Sequence, residues 1–143
     1  MDELQRAADE LAIRNLLANI AWQVDHAGAD ELDDYLACFT EDAEWQVANT
    51  IHADTRKGHD QIREGAILRR EAGGSGPGSN IYHVVTGTAI TFESAELASS
   101  RSYVIPHTVK FGVPSLLMMG EYRDQFRKTA DGWKMCKRVV TFL

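Results

Sequence analysis

The second half of the chain opens with the segment Ile81–Phe92, IYHVVTGTAITF. Its β-branched and aromatic residues predict a long strand. Similar segments follow at Leu97–Val109, Ser115–Arg127 and Trp133–Phe142, and Asp131-Gly132 predicts a hairpin turn between the last two. Four long strands in succession indicate a largely antiparallel sheet.

The half of the chain before these strands has mostly helical periodicity. Apolar residues recur at helical spacing from residue 2 to about residue 26, and shorter helical patterns cover Asp30 to about Cys38 and His59 to about Arg70. A strand is predicted at Ala43–Val47, and residues 49–57 are expected to form an edge strand or a loop. This order predicts one α+β domain over residues 1–143. In it, a cone-shaped, curved antiparallel or mixed sheet (an alpha+beta barrel) and about three N-terminal helices enclose a hydrophobic pocket.

The two-residue alternation of side chains predicts which strand residues face this pocket. The expected inward residues are Ile81, His83, Val85 and Gly87, then Tyr103, Ile105, His107 and Val109, then Leu116, Met118, Gly120 and Tyr122, and finally Cys136, Arg138, Val140 and Phe142. The expected contributors from the first half of the chain are Ile20, Trp22, Val24 and Trp45, with Asp25 near the end of the first helix.

Asp25 and His83 form a candidate general-base pair at this pocket. A carboxylate can fix the tautomer of a neutral imidazole and stabilise the imidazolium that forms when the ring takes a proton. The alternative for the same residues is structural, with a buried histidine that has a satisfied hydrogen bond and a helix-end aspartate in solvent.

The composition excludes several classes of partner. The net charge is −6, and no cluster of Lys and Arg forms a stripe, which argues against nucleic acid and anionic membranes. No apolar run approaches the roughly 20 residues of a membrane span. The acidic, amphipathic N-terminus does not resemble a secretion signal. Because Cys38 and Cys136 are isolated from each other in sequence, we expect reduced cysteines and a cytoplasmic location.

No metal or nucleotide cofactor is expected. The five histidines (His26, His52, His59, His83 and His107) are not joined by an HxH or HxxxH spacing. The glycine-rich segment 73–78 follows a helix and precedes a strand, the reverse of the order in phosphate-binding loops, so it is interpreted as a flexible connector. Glu64, Arg69, Arg70 and Glu71 are interpreted as the solvated face of the third helix.

Five phrases in order along the chain carry a family resemblance. They are Ala12–Leu17 followed by Val24-Asp25, then Phe39–Trp45, Tyr82–Val85, Val104–His107, and Asp131–Lys134 with Lys137–Val139. Together they resemble the SnoaL-like branch of the nuclear transport factor 2-like superfamily, which includes scytalone dehydratase, bile-acid 7α-dehydratase and hexachlorocyclohexane dehydrochlorinase. The resemblance extends over essentially the whole chain.

The resemblance implies roles for four residues. It puts the family's catalytic aspartate at Asp25 and its catalytic histidine at His83, a further active-site histidine at His107, and an arginine that assists the leaving group at Arg138.

The chain also departs from these relatives. Ile20 replaces a lysine or tyrosine, and the two tyrosines and the asparagine of the scytalone dehydratase site fall near Val24, Trp45 and Tyr122. No specific reaction is therefore transferred. Tyr122, Arg138 or protonated His107 could replace the missing partner for the leaving group.

Three functional hypotheses follow from the sequence. The first is a cofactor-independent lyase or isomerase that acts on a small hydrophobic cyclic molecule through an Asp–His base. The second is a non-catalytic ligand-binding or assembly subunit, like the small subunits of ring-hydroxylating dioxygenases, and the third is a SnoaL-like polyketide cyclase. The exposed back of the sheet favours a homodimer or homotrimer.

Overall fold

The computed structural model of the protein describes residues 1–48 and 54–143, which form three helices and seven strands. The helices are α1 (Glu3–His26), α2 (Asp33–Ala37) and α3 (Gly58–Glu71). The strands are β1 (Phe39–Val47), β2 (Asp54–Lys57), β3 (Ile81–Phe92), β4 (Leu97–Lys110), β5 (Val113–Leu116), β6 (Gly120–Thr129) and β7 (Gly132–Phe142).

The long first helix follows from its cap and its apolar stripe. The side chain of Asp2 accepts a hydrogen bond from the backbone N–H of Gln5 at 2.7 Å, which satisfies a free donor at the helix start. Ile13, Leu17 and Ile20 are buried at helical spacing along one face. This face packs against β3 and β7. The helix predicted from residue 2 to about residue 26 is therefore confirmed.

The strands form one mixed sheet in the order β2-β1-β7-β6-β4-β3, with β5 paired to β4 beside this path. The β1–β7 pair is parallel, and the other pairs are antiparallel. The predicted α+β class with a mixed sheet is confirmed, but the sheet has free edges at β2 and β3 and does not close into a barrel. Helix α3 packs on β1 and β2, whereas α1 packs on β3 and β7, so the two helices lie over different strands of the sheet.

The largest deviation from the predicted elements is in the strand expected at Ser115–Arg127, which is interrupted. The segment 117–119 separates β5 from β6, although both strands pair with the same partner, β4. Here the backbone N–H of Leu117 donates to Pro106 O, and Met119 O accepts from the N–H of Leu143. The interruption brings Leu117 and Met118 to the rim of a cavity.

Two other boundaries also differ from the sequence prediction. The second helix spans only Asp33–Ala37, because β1 already begins at Phe39. Of the segment 49–57, Asp54–Lys57 pairs with β1 as an edge strand, as one of the two alternatives predicted. Residues 49–53, with His52 among them, lie outside the described residues.

Candidate active site

Asp25 and His83 are in direct contact between the end of α1 and the start of β3. Asp25 Oδ1 lies 2.7 Å from His83 Nδ1. The backbone N–H of His83 also donates to both carboxylate oxygens, at 3.1 and 3.2 Å. The side chains are only 16% and 10% exposed, for His83 and Asp25 respectively. With Nδ1–H donating to the carboxylate, Nε2 is left with its lone pair as a proton acceptor.

Arg70 on α3 fixes the helix end that carries Asp25. Its guanidinium donates to Gln23 O, Val24 O and Ala27 O, carbonyls around the C-terminal turn of α1. A cation is favourable at this negative end of the helix dipole. Burial nevertheless lowers the pKa of Arg70 from its ordinary value. Gly76, at φ +83°, packs against this side chain: an added Cβ would lie 2.9 Å from Arg70 Cγ.

His83 borders a cavity of about 210 Å³ between the helices and the sheet. Most of its lining is apolar or aromatic, and no Asp or Glu side chain of the described residues lines it. The lining residues expected from the sequence are Val24, Trp45, Ile81, His83, Met118, Tyr122, Arg138, Val140 and Phe142. The additional lining residues are Tyr35, Val47, Arg69, Arg70, Gly74, Ser75, Val104, Pro106 and Leu117.

His83 also borders a second space, an open groove between α1 and β3. Trp22 and Val85, both expected in the substrate pocket, line this groove together with Asp25. Trp22 is largely exposed and stacks on His26, with the ring centroids 3.8 Å apart. The Asp25–His83 pair therefore separates the cavity from a solvent-accessible groove.

Arg138 lies at the cavity with its charge already paired. Its Nε and one terminal nitrogen donate to the two oxygens of Asp124 at 2.8 and 2.9 Å, and both side chains are buried. The guanidinium also lies 3.7 Å from the centroid of the Tyr122 ring. Burial alone would lower the pKa of Arg138, but the charge and hydrogen bonds of Asp124 outweigh burial and raise this pKa. Burial raises the pKa of the Tyr122 hydroxyl.

The interpretation of Arg69 and Arg70 as a solvated surface is wrong, since both side chains line the cavity. Both lie three or four residues after the buried Ala66, so they continue the inward stripe of α3. This helical spacing could have predicted that the two side chains face inward, but their charge favoured the interpretation as a surface. The guanidinium of Arg69 lies 4.1 Å from the centroid of the Trp45 ring.

Two residues of the glycine-rich connector, Gly74 and Ser75, form part of the cavity wall. The backbone N–H of Gly74 donates to Arg69 O at 2.9 Å, which holds the segment against the end of α3. Ser75 is buried at the cavity, and no group among the described residues forms a hydrogen bond with its hydroxyl. The interpretation of this segment as a flexible connector missed the hydrogen bond of Gly74 and the place of Ser75 in the cavity wall.

The inward face predicted for β4 is inverted. The register pairs His83 with Pro106, and antiparallel partners project to the same side of the sheet, so Val104 and Pro106 line the cavity. Tyr103, Ile105 and His107 consequently project to the opposite face. Nδ1 of His107 lies 2.8 Å from Ile105 O.

Three other positions predicted to face the pocket, on α1, β5 and β7, also lie away from the cavity. Leu116 is in the short strand β5 and is exposed, because the chain leaves the sheet immediately after it. Ile20 is fully buried in the core and borders neither space. On β7, an irregular register opposite Gln125 and Phe126 buries Met135, so Cys136 does not continue the inward row of Arg138 and Val140.

In the described ranges 1–48 and 54–143, no set of three or more His, Cys, Asp or Glu side chains converges as a metal site. Of the described helices, none combines the length and apolar character needed to cross a membrane.

The fold and the Asp–His pair at an apolar cavity define a class of small, pocket-forming α+β domains with a nuclear transport factor 2-like, cystatin-like fold. The chain belongs to the SnoaL-like family, since the model of the SnoaL-like domain matches residues 5–139. No curated protein matches the chain significantly in sequence.

Three solved structures illustrate the structural similarity. A nuclear transport factor 2-like protein with a cystatin-like fold from Novosphingobium aromaticivorans is 22% identical, with a TM-score of 0.79 over 98% of this chain and 85% of that chain. A second protein from this organism, provisionally named an aromatic ring hydroxylase, is 30% identical, with a TM-score of 0.72 over 96% and 90%. A third, provisionally named a scytalone dehydratase, is 19% identical, with a TM-score of 0.72 over 97% and 87%.

Proposed function

We propose that the protein is a cofactor-independent lyase or isomerase that acts on a small hydrophobic cyclic molecule, with His83 as the general base and Asp25 as its orienting partner. The observation that carries this proposal is the 2.7 Å contact between Asp25 Oδ1 and His83 Nδ1 at the wall of an apolar cavity. A similarity to a protein provisionally named a scytalone dehydratase agrees with the reaction class.

The reaction begins with transfer of a proton from a substrate carbon to Nε2 of His83. The electron pair of the broken C–H bond either forms an enolate or moves toward the neighbouring carbon and expels a leaving group. Asp25 stabilises the imidazolium that results, and its contacts with the His83 backbone N–H hold the carboxylate in place. Return of the proton to another carbon gives isomerisation, whereas delivery to a departing hydroxyl gives dehydration.

The cavity limits the substrate to a compact molecule. Its volume of about 210 Å³ is below the roughly 300–1,000 Å³ typical of pockets for drug-sized ligands. Its walls include the aromatic rings of Tyr35, Trp45 and Tyr122, which suit the faces of a flat ring.

Proton abstraction can be measured without the natural substrate. In deuterium oxide, the protein should accelerate the exchange of the hydrogens next to the carbonyl of 1-tetralone. Proton NMR measures this exchange as the loss of their signal. His83→Gln should slow the catalysed exchange by about 10²–10⁴ because it removes the base. Asp25→Asn should also slow it, since the orienting charge is lost.

His26→Gln is the matched control, because His26 ends the same helix but is exposed and stacks on Trp22. This variant should catalyse hydrogen exchange in 1-tetralone at the wild-type rate. Thermal unfolding should show that all three variants are folded. Equal rates for wild type and folded His83→Gln would contradict the proposal. A polyketide cyclase also begins by removing a proton from carbon, so this experiment tests the Asp25–His83 base for that alternative as well.

A second candidate function is that of a non-catalytic assembly subunit. An exposed apolar face that includes Tyr82, Val84 and Tyr103 favours it. This candidate predicts a homodimer or homotrimer by light scattering, together with exchange rates that do not depend on His83.

A further inference from the structure

We infer that the ligand of the cavity carries a carboxylate or develops an equivalent oxyanion, and that Arg69 binds it. This inference rests on the proposed function in placing the ligand beside His83, and it adds the chemical class of that ligand. Three arginines line the cavity: Arg69, Arg70 and Arg138. Arg69 differs from the other two in the hydrogen bonds that its guanidinium makes within the protein.

The guanidinium groups of Arg70 and Arg138 are committed to the protein. Arg70 donates to four backbone carbonyls, those of Gln23, Val24, Ala27 and Ala66. Arg138 is held by both oxygens of the buried Asp124. Turning Arg138 to a ligand would leave the buried Asp124 without its counter-charge, which has a high energetic cost. Turning Arg70 would break its hydrogen bonds to the C-terminal turn of α1.

Arg69 has no such commitment. Across residues 1–48 and 54–143, its one specific partner is the ring of Trp45, with which it makes a cation–π contact. This contact orients a flat guanidinium and consumes none of its N–H donors. The donors therefore remain available for a planar, two-oxygen anion at the cavity.

Space for this guanidinium is provided by a glycine on the same helix. Gly65 is buried one helical turn before Arg69, and an added Cβ there would lie 3.2 Å from a terminal nitrogen of Arg69. The same point lies 3.2 Å from Nε of Arg56. Arg56 is already paired with Asp54 and Glu64, so its charge is neutralised outside the cavity.

The charges around the cavity also favour an anionic ligand, because three arginines and no described Asp or Glu line it. Asp25 and Asp124 contact the cavity residues His83 and Arg138 but do not themselves line the cavity. The uncompensated charge of Arg69 thus faces an apolar space of low dielectric constant, in which an anion is favoured strongly over a neutral isostere. In the proposed reaction, Arg69 is a group that could stabilise negative charge as His83 removes a proton.

The test compares two ligands of equal shape and different charge, 2-naphthoate and 2-naphthamide, by isothermal titration calorimetry. Wild type should bind the naphthoate about 10–100-fold more tightly, as expected for a charge-assisted bidentate contact. Arg69→Gln should abolish this preference with little effect on the naphthamide. Arg69→Met provides a second neutral variant if the glutamine variant is unstable.

Arg63→Gln is the matched control, since Arg63 lies on the same helix and pairs with Asp33 on the outer surface. It removes the same charge and should keep the wild-type preference. The inference is overturned if wild type does not prefer the naphthoate, or if a folded Arg69 variant retains the preference. If the preference depends on Arg69 while 1-tetralone exchange does not depend on His83, the anion site stands and the proposed catalysis fails.

Discussion

Two aspartates each hold a side chain that lines the same cavity, yet the two pairs are built differently. In the Asp124–Arg138 pair, both carboxylate oxygens and two guanidinium nitrogens bond to each other, and both side chains are buried. In the Asp25–His83 pair, the carboxylate is satisfied by the ring and the backbone of His83, while the second ring nitrogen remains uncommitted. We call the first pair closed, because its two charged groups bond to each other on both sides. We call the second pair open, because one ring nitrogen of His83 can still bond to a ligand.

The difference suggests a criterion for assigning roles in a pocket of this kind. A charge whose partners are all internal contributes to stability and specificity, whereas a group that keeps a free donor or acceptor at a cavity can act on a ligand. The family resemblance implies that Arg138 assists the leaving group. By this criterion, however, its main role is structural, because its charge is paired with Asp124. Its role in catalysis stays a prediction.

Breaking the closed pair should have the largest effect on stability. Asp124→Asn leaves the buried guanidinium of Arg138 without a counter-charge, so we expect a loss of about 3–5 kcal/mol in the free energy of unfolding. Urea denaturation measures this loss. Glu10→Gln, which breaks the exposed pair with Arg14 on α1, is the control and should cost about 0.3–0.5 kcal/mol. Similar costs for both variants would remove the distinction between closed and exposed pairs.

A second closed cluster at the other end of α1 should respond to pH. Asp9 is buried and accepts from Trp133 Nε1 at 2.9 Å, from Lys128 Nζ at 3.0 Å and from Gln5 at 3.2 Å. Burial would raise the pKa of Asp9, but these hydrogen bonds outweigh burial and lower it. A lowered pKa stabilises the fold above the ordinary carboxyl range, and this stabilisation is lost as the pH falls through the lowered value.

Asp9→Asn should therefore destabilise the protein at pH 7 by about 1–3 kcal/mol, because the acceptor loses its charge. The difference from wild type should shrink as the pH falls below about 3.9, where the unfolded carboxyl group takes up a proton while the native one, with its lowered pKa, is still ionised. Urea denaturation at both pH values measures this. A difference that does not change with pH would mean that packing, and not the charge of Asp9, carries the effect.

The smallest effect is expected at His107, which projects away from the cavity and contacts its own strand at Ile105 O. His107→Gln should change stability by no more than about 0.5 kcal/mol, as for most surface substitutions. The 1-tetralone exchange rate should stay at the wild-type value. A large loss of exchange in a folded His107→Gln protein would mean that the pocket extends around the edge of β4.

The sequence was sufficient to predict the element order and the Asp25–His83 contact. Periodicity predicted the inward faces of α1 and β3. It predicted the wrong face of β4, because both faces of β4, like those of β3, carry apolar residues and periodicity alone does not choose between them. Only the pairing of His83 with Pro106 determines which face turns inward.

The partners of the arginines depend on tertiary contacts that no local pattern encodes. Asp124 meets Arg138 because they are opposite residues in the β6–β7 ladder, on the far side of an irregularity in register at Gln125 and Phe126. Arg69 faces the cavity because α3 packs over β1, which brings it above Trp45. Both contacts join segments that are distant in sequence or separated by a shift in register.

The position of His83 between two spaces has a consequence for the fate of hydrogen atoms. The residue lines the cavity on one side and the open groove beside Trp22 on the other. In the proposed reaction, a hydrogen taken from the substrate would rest on an imidazole in contact with bulk water, with which nitrogen-bound hydrogens exchange. If the reaction is an isomerisation, product formed in labelled water should therefore carry the solvent isotope at the carbon that receives the proton. Little of the hydrogen taken from the substrate should be found in the product.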